Sequence, residues 1–315
     1  MMRAFQSFIG DPIRHRRFDL AWYRFSQLMH DRTNGAFDSA YMGLARMLRP
    51  KVGLPTPIGM APRETATVIE RLRQDGYMVL PFQLSGEQIA ALTAFAYSTP
   101  AHAADISRNI AVSPGHVPPG VPRFSWWMHD LVRLPVIQKM IVEGPYCAIA
   151  QEYLGCRPIL AHVSLFLDAP FDGYYEPYIY HYDNEGPAFL KFFFYLTDVE
   201  VGTGAHYFIA GTQAHAKPQQ FARATLYKEE DLFGWYPRDR EVAICGPAGT
   251  ILAEDTAGFH RGSVLQRDFR LLMQFEFSAV DVPTGYELAR KLVPVPVPGL
   301  HPGIASIARK FFKAA

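Results

Sequence analysis

Between residues 159 and 278 the chain is divided into apolar runs too short to be helices. Residues 159–167, 189–197, 205–209, 241–245, 250–253 and 270–278 are rich in β-branched and aromatic side chains, and turn residues separate them. Such a succession points to an antiparallel barrel or jelly roll. Aromatics at 14% and 25 prolines suit strands and ordered loops better than a helical bundle. A chain of 315 residues has room for one large domain, or one domain with helical additions. The fold class expected is therefore mainly β with flanking helices.

The flanks have a different pattern. Phe18, Trp22, Phe25 and Met29 form one helical stripe, Asn34-Gly35 breaks it, and Phe37, Tyr41, Leu44 and Leu48 form a second that ends at Pro50. Residues 1–60 are thus expected to be a helical extension separate from the main core. A helix is expected at 65–74, a strand at 76–81, and a second helix from the cap Ser85 to about Ser98. Residues 99–122, with five prolines, are expected to form a long loop leading into the buried aromatics of 123–127. Residues 134–154 are mainly helical with a break at Gly144-Pro145. Residues 61–283 form the β domain. Residues 284–315 form a basic helical arm, with a helix at 304–312 after a Pro-Val-Pro-Val-Pro linker.

A net charge of +1 gives no argument for a nucleic-acid partner across the whole surface. The charge is uneven, with about +5 on residues 1–60 and about +4 on residues 284–315 around an acidic centre. Two solvated helical arms account for this, and peripheral membrane contact, with Arg14, Arg16 and Arg17 at the surface, is the lesser alternative. The three cysteines show no CxxC spacing, and no apolar run resembles a signal peptide or a membrane span, so the expected location is the cytoplasm. No pattern indicates an oligomeric state.

The chemistry-bearing stretch is His181-Tyr182-Asp183. With eleven histidines in the chain, about one His-x-Asp/Glu is expected by chance, so its context must carry the argument. On an extended segment residues i and i+2 share a face, so His181 and Asp183 can grip one ion while Tyr182 points away. Residues 249–255 form a strand running toward His260, in the following turn, which can supply a third ligand. Two imidazoles and a carboxylate are a facial triad for non-haem Fe(II), with positions left for a bidentate cosubstrate and O₂. Arg270, ten residues beyond His260, opens a strand on which Leu272, Gln274 and Glu276 share its face. Its planar fork suits the distal carboxylate of 2-oxoglutarate, and pairing with Asp268 or Glu276 is the structural alternative.

Over roughly residues 65–280 the chain resembles the phytanoyl-CoA dioxygenase family of Fe(II)/2-oxoglutarate oxygenases. The stretches that carry the resemblance are Gly76-Tyr77-Met78-Val79-Leu80, His181-Tyr182-Asp183, residues 190–204 (LKFFFYLTDVEVGTG), Phe208-Ile209-Ala210-Gly211-Thr212, and residues 249–260 through Phe269-Arg270. The resemblance implies a double-stranded β-helix (jelly-roll, cupin-like) core. It matches His181, Asp183 and His260 to the iron ligands and Arg270 to the residue that holds the cosubstrate. It turns Phe189, Lys191, Phe193, Tyr195 and Thr197 inward. Phe193 then borders the cosubstrate, Lys191 binds either 2-oxoglutarate or an acidic substrate or snorkels outward, and Ser164 matches a cosubstrate-facing position. The motif after the distal histidine departs from His-Gly-Ser, since here it is His260-Arg261-Gly262-Ser263. Related halogenases lack the carboxylate, so Asp183 implies another oxidation.

The expected activity is hydroxylation of a small-molecule or lipid/carrier-linked substrate, anionic or amphipathic in character, with formation of succinate and CO₂. Loops 168–180, 99–127 and 214–240 are expected to wall its pocket. The alternatives are a non-catalytic barrel binding protein and a barrel metalloenzyme without 2-oxoglutarate.

Overall fold

The computed structural model describes residues 18–103, 109–112, 116–214, 216–223, 225–281 and 292–315. Arg14, Arg16 and Arg17 lie outside the described residues. Helices α1 (Phe18–Thr33) and α2 (Ala36–Leu48) follow the two apolar stripes, and the chain reverses through Asn34 and Gly35 with φ of 48° and 77°. The expected separation from the main core is not found. Met42 and Ala45 pack on Leu154, Cys156 and Ala279, and Tyr23 packs on Ala161 and Val280. Gln27 Nε2 donates to the carbonyl of Asn184 at 2.9 Å, next to Asp183.

Helix α3 (Pro62–Asp75) ends at Gly76 and leads into β1 (Tyr77–Val79). Helix α4 (Gly86–Ser98) opens with a reciprocal cap in which Ser85 Oγ accepts from Gln88 N and Gln88 Oε1 accepts from Ser85 N. The proline-rich stretch is less irregular than expected. Strands β2 (Ala101–Ala103), β3 (Asn109–Ile110) and β4 (Arg123–Ser125) extend the main sheet. Three helices follow, α5 (Met128–Leu131), α6 (Pro135–Glu143) and α7 (Tyr146–Leu154), the last two divided at Gly144-Pro145.

The β region comprises β5 (Ile159–Asp168), β6 (Phe189–Tyr195), β7 (His206–Ile209), β8 (Glu241–Ile244), β9 (Ile251–Glu254), β10 (His260–Arg261) and β11 (Arg270–Ser278), with the short helix α8 (Glu229–Phe233) before β8. The main sheet has the order β1-β9-β6-β11-β5-β4-β2-β3 and the second sheet β10-β7-β8, with antiparallel pairing throughout both. β6 is buried at every position because both faces of the main sheet are covered. On the outer face Phe192, Phe194 and Phe275 surround Tyr146 of α7 edge-on, and Val68, Leu72, Leu92 and Ile137 complete the helical layer. Each such side chain contributes roughly 1.5–3 kcal/mol by leaving water. On the inner face Phe193, Tyr195, Leu252 and Leu272 pack on Phe208 and Ile244 of the second sheet.

The C-terminal segment is part of the body rather than a basic arm. β12 (Val295–Val297), inside the expected linker, pairs in parallel with β13 (Phe312–Ala314), and α9 between them spans only Pro302–Ile307. Leu300, Ile304, Ile307, Phe311 and Phe312 join the helix-side core, which is why this apolar pattern is not solvated. No helix among the described residues is long and apolar enough to cross a membrane.

Candidate metal centre

The centre is built where two extended segments exchange backbone hydrogen bonds. His181 N donates to His260 O at 3.0 Å and His260 N donates to His181 O at 2.9 Å, while Asp183 N donates to Thr256 O at 2.8 Å. His260 opens β10, paired with Phe208 of β7, rather than lying in a turn. Nδ1 of His181 lies 2.8 Å from Ile179 O and Nδ1 of His260 lies 2.9 Å from Gly258 O. A carbonyl partner places the ring proton on Nδ1 and leaves a lone pair on each Nε2. Those Nε2 atoms face Asp183, at 3.9 Å from Oδ1 for His181 and 3.8 Å from Oδ2 for His260. One donor atom from each residue fits within 4.8 Å of the others. Burial, reinforced by His181, pulls His260 down to about 3, so its imidazole is neutral as a ligand must be. Burial opposes ionisation of Asp183, but Lys191, His260 and His181 hold it below the usual carboxylate range. Neutral imidazoles, an ionised carboxylate and anchored rings are the donor set of a facial-triad metal site, and the residues present fit Fe(II).

Tyr182 turns to the opposite side, 3% exposed, against Tyr227 and Phe259. The insertion 214–240 was expected to wall the substrate pocket. Instead Phe221, Tyr227 and Leu232 pack with Tyr180, Tyr182 and Phe259 behind the ligand-bearing segments. Lys217 lies there as well, its Nζ donating to Ala214 O and Ala257 O at 2.6 Å each and to Thr212 O. The same ammonium stands 5.0 Å from the Tyr182 ring centroid and 5.3 Å from that of Phe259. The apolar insertion face serves the backs of the ligands because Tyr182 and Phe259, alternating with the ligands, point outward.

In front of the ligands lies a cavity of about 280 Å³ whose long wall is the inner face of the main sheet. Strand register arranges that wall in rungs. Asp168 faces Arg270; Phe166, Leu272 and Tyr195 form the next rung; Ser164, Gln274, Phe193 and Leu252 the third; His162, Glu276, Lys191 and Glu254 the fourth. The cavity therefore has an arginine end, an apolar middle and an acid-rich end. Phe193, Ser164, Gln274, Arg270, Arg123 and Tyr178 all line it.

At the arginine end Arg270 pairs with neither Asp268 nor Glu276. Its Nε and Nη2 donate to Asp168 Oδ2 at 3.1 and 2.6 Å, and Nη1 donates to Gly204 O. Asp168 also accepts from Arg123 Nε at 2.5 Å. Burial alone would raise the Asp168 pKa, and the two guanidiniums hold it below the usual range. Arg270 has five N–H groups, and Asp168 and Gly204 take three of them, so two remain on its terminal nitrogens. Gly204, at φ +94°, lies against this guanidinium: a Cβ there would be 3.2 Å from Arg270 Nε and 3.0 Å from Leu265 Cδ1.

At the acid-rich end Lys191 takes a different place from the one expected. Its Nζ donates to Asp183 Oδ2 at 2.7 Å and Glu185 Oε1 at 3.0 Å, so the inward cation is held by carboxylates and not turned to a cosubstrate. Glu276 Oε2 lies 2.9 Å from His162 Nδ1. Burial and the neighbouring Glu276 push Glu185 well up, while His162 and Lys191 outweigh burial and hold Glu276 down. Beside Glu185 and Glu276 stands Tyr23 of α1, its phenol raised by burial and by those charges. A further pair, His206 Nε2 and Glu254 Oε1 at 2.9 Å, sits under His260, with the two imidazoles stacked at 5.3 Å. Ser263 donates to Ala205 O at 2.9 Å, a turn contact. Asp168, His162, Glu185, His206 and Glu254 carry no local sequence signal; only an isolated acid within a β-branched run, as at Asp168 and Glu254, hints at a buried carboxylate.

No protein-family model and no curated protein matches the chain. Solved structures do. A non-heme alpha ketoglutarate dependent epimerase, SnoN from nogalamycin biosynthesis, superposes with a TM-score of 0.53 at 18% identity over 71% of this chain and 88% of that one. SnoN in complex with Fe3+, alpha ketoglutarate and nogalamycin RO gives 0.54 at 17% identity over 76% and 94%. The chain has the fold of SnoN. An iron-bound EctD from S. alaskensis gives 0.49 at 17% identity over 85% and 89%.

Proposed function

We propose that the chain is an Fe(II)- and 2-oxoglutarate-dependent oxygenase on a double-stranded β-helix, acting on a small molecule. The observation that carries this is one cavity with the His181, Asp183 and His260 donors on its floor and, at one end, the Arg270 guanidinium, which has two N–H groups beyond those given to Asp168 and Gly204. The shared fold with a protein crystallised with Fe3+ and alpha ketoglutarate supports the same assignment. His181, Asp183 and His260 hold the metal, and Arg270, itself fixed by Asp168 and Gly204, binds the distal carboxylate of the cosubstrate. Phe193 and Ser164 border the cosubstrate along the apolar middle. With its cosubstrate and O₂, bound iron supplies an oxidant able to take hydrogen from an unactivated C–H bond, with succinate and CO₂ as co-products. Lys191 holds one oxygen of Asp183 and leaves the other for the metal. Tyr178, Arg123 and Met128 wall the cavity, as expected of the loops that carry Tyr178 and Arg123. Hydroxylation is the outcome we assign, and the presence of Asp183 argues against halogenation.

The test is succinate formation from 2-oxoglutarate by the purified protein under air. It should require Fe(II) and fall to background in His181→Ala; normal turnover by that variant refutes the proposal. Arg270→Ala separates this reading from a metalloenzyme without cosubstrate, because only the oxygenase requires a rise in the KM for 2-oxoglutarate, of about tenfold or more for a lost charged fork.

A further inference from the structure

Helix α1 carries two stripes. The aromatic one turns to α2, where the Trp22 ring centroid lies 6.3 Å from that of Phe37 and 5.7 Å from that of Tyr41, and that of Phe25 lies 5.9 Å from Phe37. The second stripe is polar. Tyr23, Gln27, His30 and Asn34 follow at spacings of four, three and four, one face of the helix and of the turn that ends it. Each of them meets the segments behind the metal ligands. Tyr23 stands beside Glu185. Gln27 Nε2 donates to Asn184 O at 2.9 Å. His30, joined through Nδ1 to Asp38 of α2, has its ring 5.9 Å from that of Tyr182, the residue between His181 and Asp183. Asn34 pairs with the backbone of Lys217 twice, its Nδ2 donating to Lys217 O at 2.7 Å and Lys217 N donating to its Oδ1 at 3.0 Å. A helix docked for burial alone would turn its apolar stripe to the body; α1 turns a polar one to the ligand-bearing segments.

Two of these contacts reach the ligands by short routes. The backbone is held on both sides of Asp183, at its own N–H by Thr256 O and at the carbonyl of the next residue by Gln27. Lys217, whose backbone Asn34 fixes, donates from Nζ to Ala257 O at 2.6 Å. The carbonyls on either side of Ala257 serve the ligands, that of Thr256 accepting from Asp183 N and that of Gly258 from His260 Nδ1. We propose that α1 is a positioning element of the metal centre, with Gln27 acting on Asp183 through Asn184, and Asn34 acting on His260 and Asp183 through Lys217. This rests on the reading of His181, Asp183 and His260 as metal ligands. A metal site needs its donors within about 0.5 Å of the working geometry. Hydrogen bonds to backbone carbonyls supply that precision, because they weaken steeply when misaligned, whereas apolar contact tolerates sliding.

The probes are Zn(II), titrated calorimetrically into the metal-free chain, and Co(II), read by its visible ligand-field bands. Gln27→Met keeps the volume of the side chain and removes the donor. Asn34→Gly suits the φ of 48° and removes both hydrogen bonds to Lys217. Each should weaken Zn(II) binding by about threefold or more and the double variant by about tenfold or more, with the Co(II) bands shifted, as when other groups that orient metal ligands are removed. Either single variant decides the matter if the double variant does not fold. Met42→Ala is the control, because it thins the apolar contact of α2 with Leu154 and Cys156. It should lower the Tm of the metal-free protein and leave Zn(II) affinity and the Co(II) bands unchanged. Unchanged affinity and bands in the folded Gln27 and Asn34 variants overturn the positioning role. So does a Met42→Ala protein that loses as much Zn(II) affinity as they do, since the hairpin would then act through stability alone. His181→Ala separates this proposal from the one beneath it. Zn(II) binding that is lost in His181→Ala and kept in the α1 variants overturns the positioning role alone; a parent that binds no Zn(II), or binding kept in His181→Ala, overturns the metal centre and the positioning role with it.

Discussion

Replacing Asp168 with asparagine tests how the arginine end is held. The carboxylate accepts from Arg123 through Nε at 2.5 Å and Nη2 at 3.2 Å, and from Arg270 through Nε at 3.1 Å and Nη2 at 2.6 Å. Its side chain is 1% exposed, that of Arg270 4% and that of Arg123 26%. An amide keeps one acceptor, turns two N–H groups toward a guanidinium, and leaves two positive charges facing each other. A unit-charge pair at 4 Å is worth about 4 kcal/mol at an effective dielectric of 20. The Arg270 pair counts nearly in full, while the Arg123 pair is reduced because that side chain is partly hydrated. The relief of no longer burying a charge offsets part of the sum, and breaking a buried pair from one side costs about 3–5 kcal/mol in practice. That corresponds to a Tm lower by about 5–8 °C in a chain of this size. Calorimetry at pH 7 reads the shift. The folded carboxyl titrates below its unfolded value, so between those values the unfolded chain holds more protons and stability rises with pH. The gap between the two proteins should therefore be full at pH 7, begin to narrow below about pH 4, and close as the pH falls through the folded value. A loss under about 1 kcal/mol, or a gap that does not change down to pH 3, refutes the argument.

Gly204→Ala should lower stability by about 1–3 kcal/mol, because alanine is strained at φ +94°. It should also raise the KM for 2-oxoglutarate more than it lowers kcat, since its Cβ would press on Arg270; initial-rate kinetics decide this. Lys217→Met should cost about 3 kcal/mol or more in urea unfolding, as it strips one ammonium from the carbonyls of Thr212, Ala214 and Ala257. Fe(II) added anaerobically should raise Tm in proportion to the logarithm of its concentration, and this increment should vanish in Asp183→Ala, as scanning calorimetry would show.

The strands were legible because each carries its own pattern: β11 begins at Arg270 and ends at Ser278, as the run 270–278 specifies. The helical hairpin was legible for the same reason, with its break at Asn34-Gly35. Its location was not. Met42 and Ala45 look like any helix face, and only the closed structure shows that Leu154, Cys156 and Ala279 cover them. Likewise Ile304, Ile307 and Phe311 read as an amphipathic arm because their partners lie far away in the chain, in the helix-side core. Periodicity tells which face is apolar and not what it meets.

The same distinction divides the site. His181 and Asp183 are two residues apart and Arg270 is ten beyond His260, so spacing and order along the chain offered them as candidates together. The groups that fix their chemistry are joined through sheet register. Asp168 meets Arg270, and His162 meets Glu276, only because β5 and β11 pair in one alignment, across 102 and 114 residues of chain. A one-residue slip of β5 would send His162, Ser164, Phe166 and Asp168 into the helix layer and bring Val163, Leu165 and Leu167 into the cavity. Those three apolar residues are what prevents the slip, since they would lose their place among the buried side chains of the outer face. The polarity of the cavity, with arginines at one end and glutamates at the other, is thus enforced from the opposite side of the sheet by residues that never touch it.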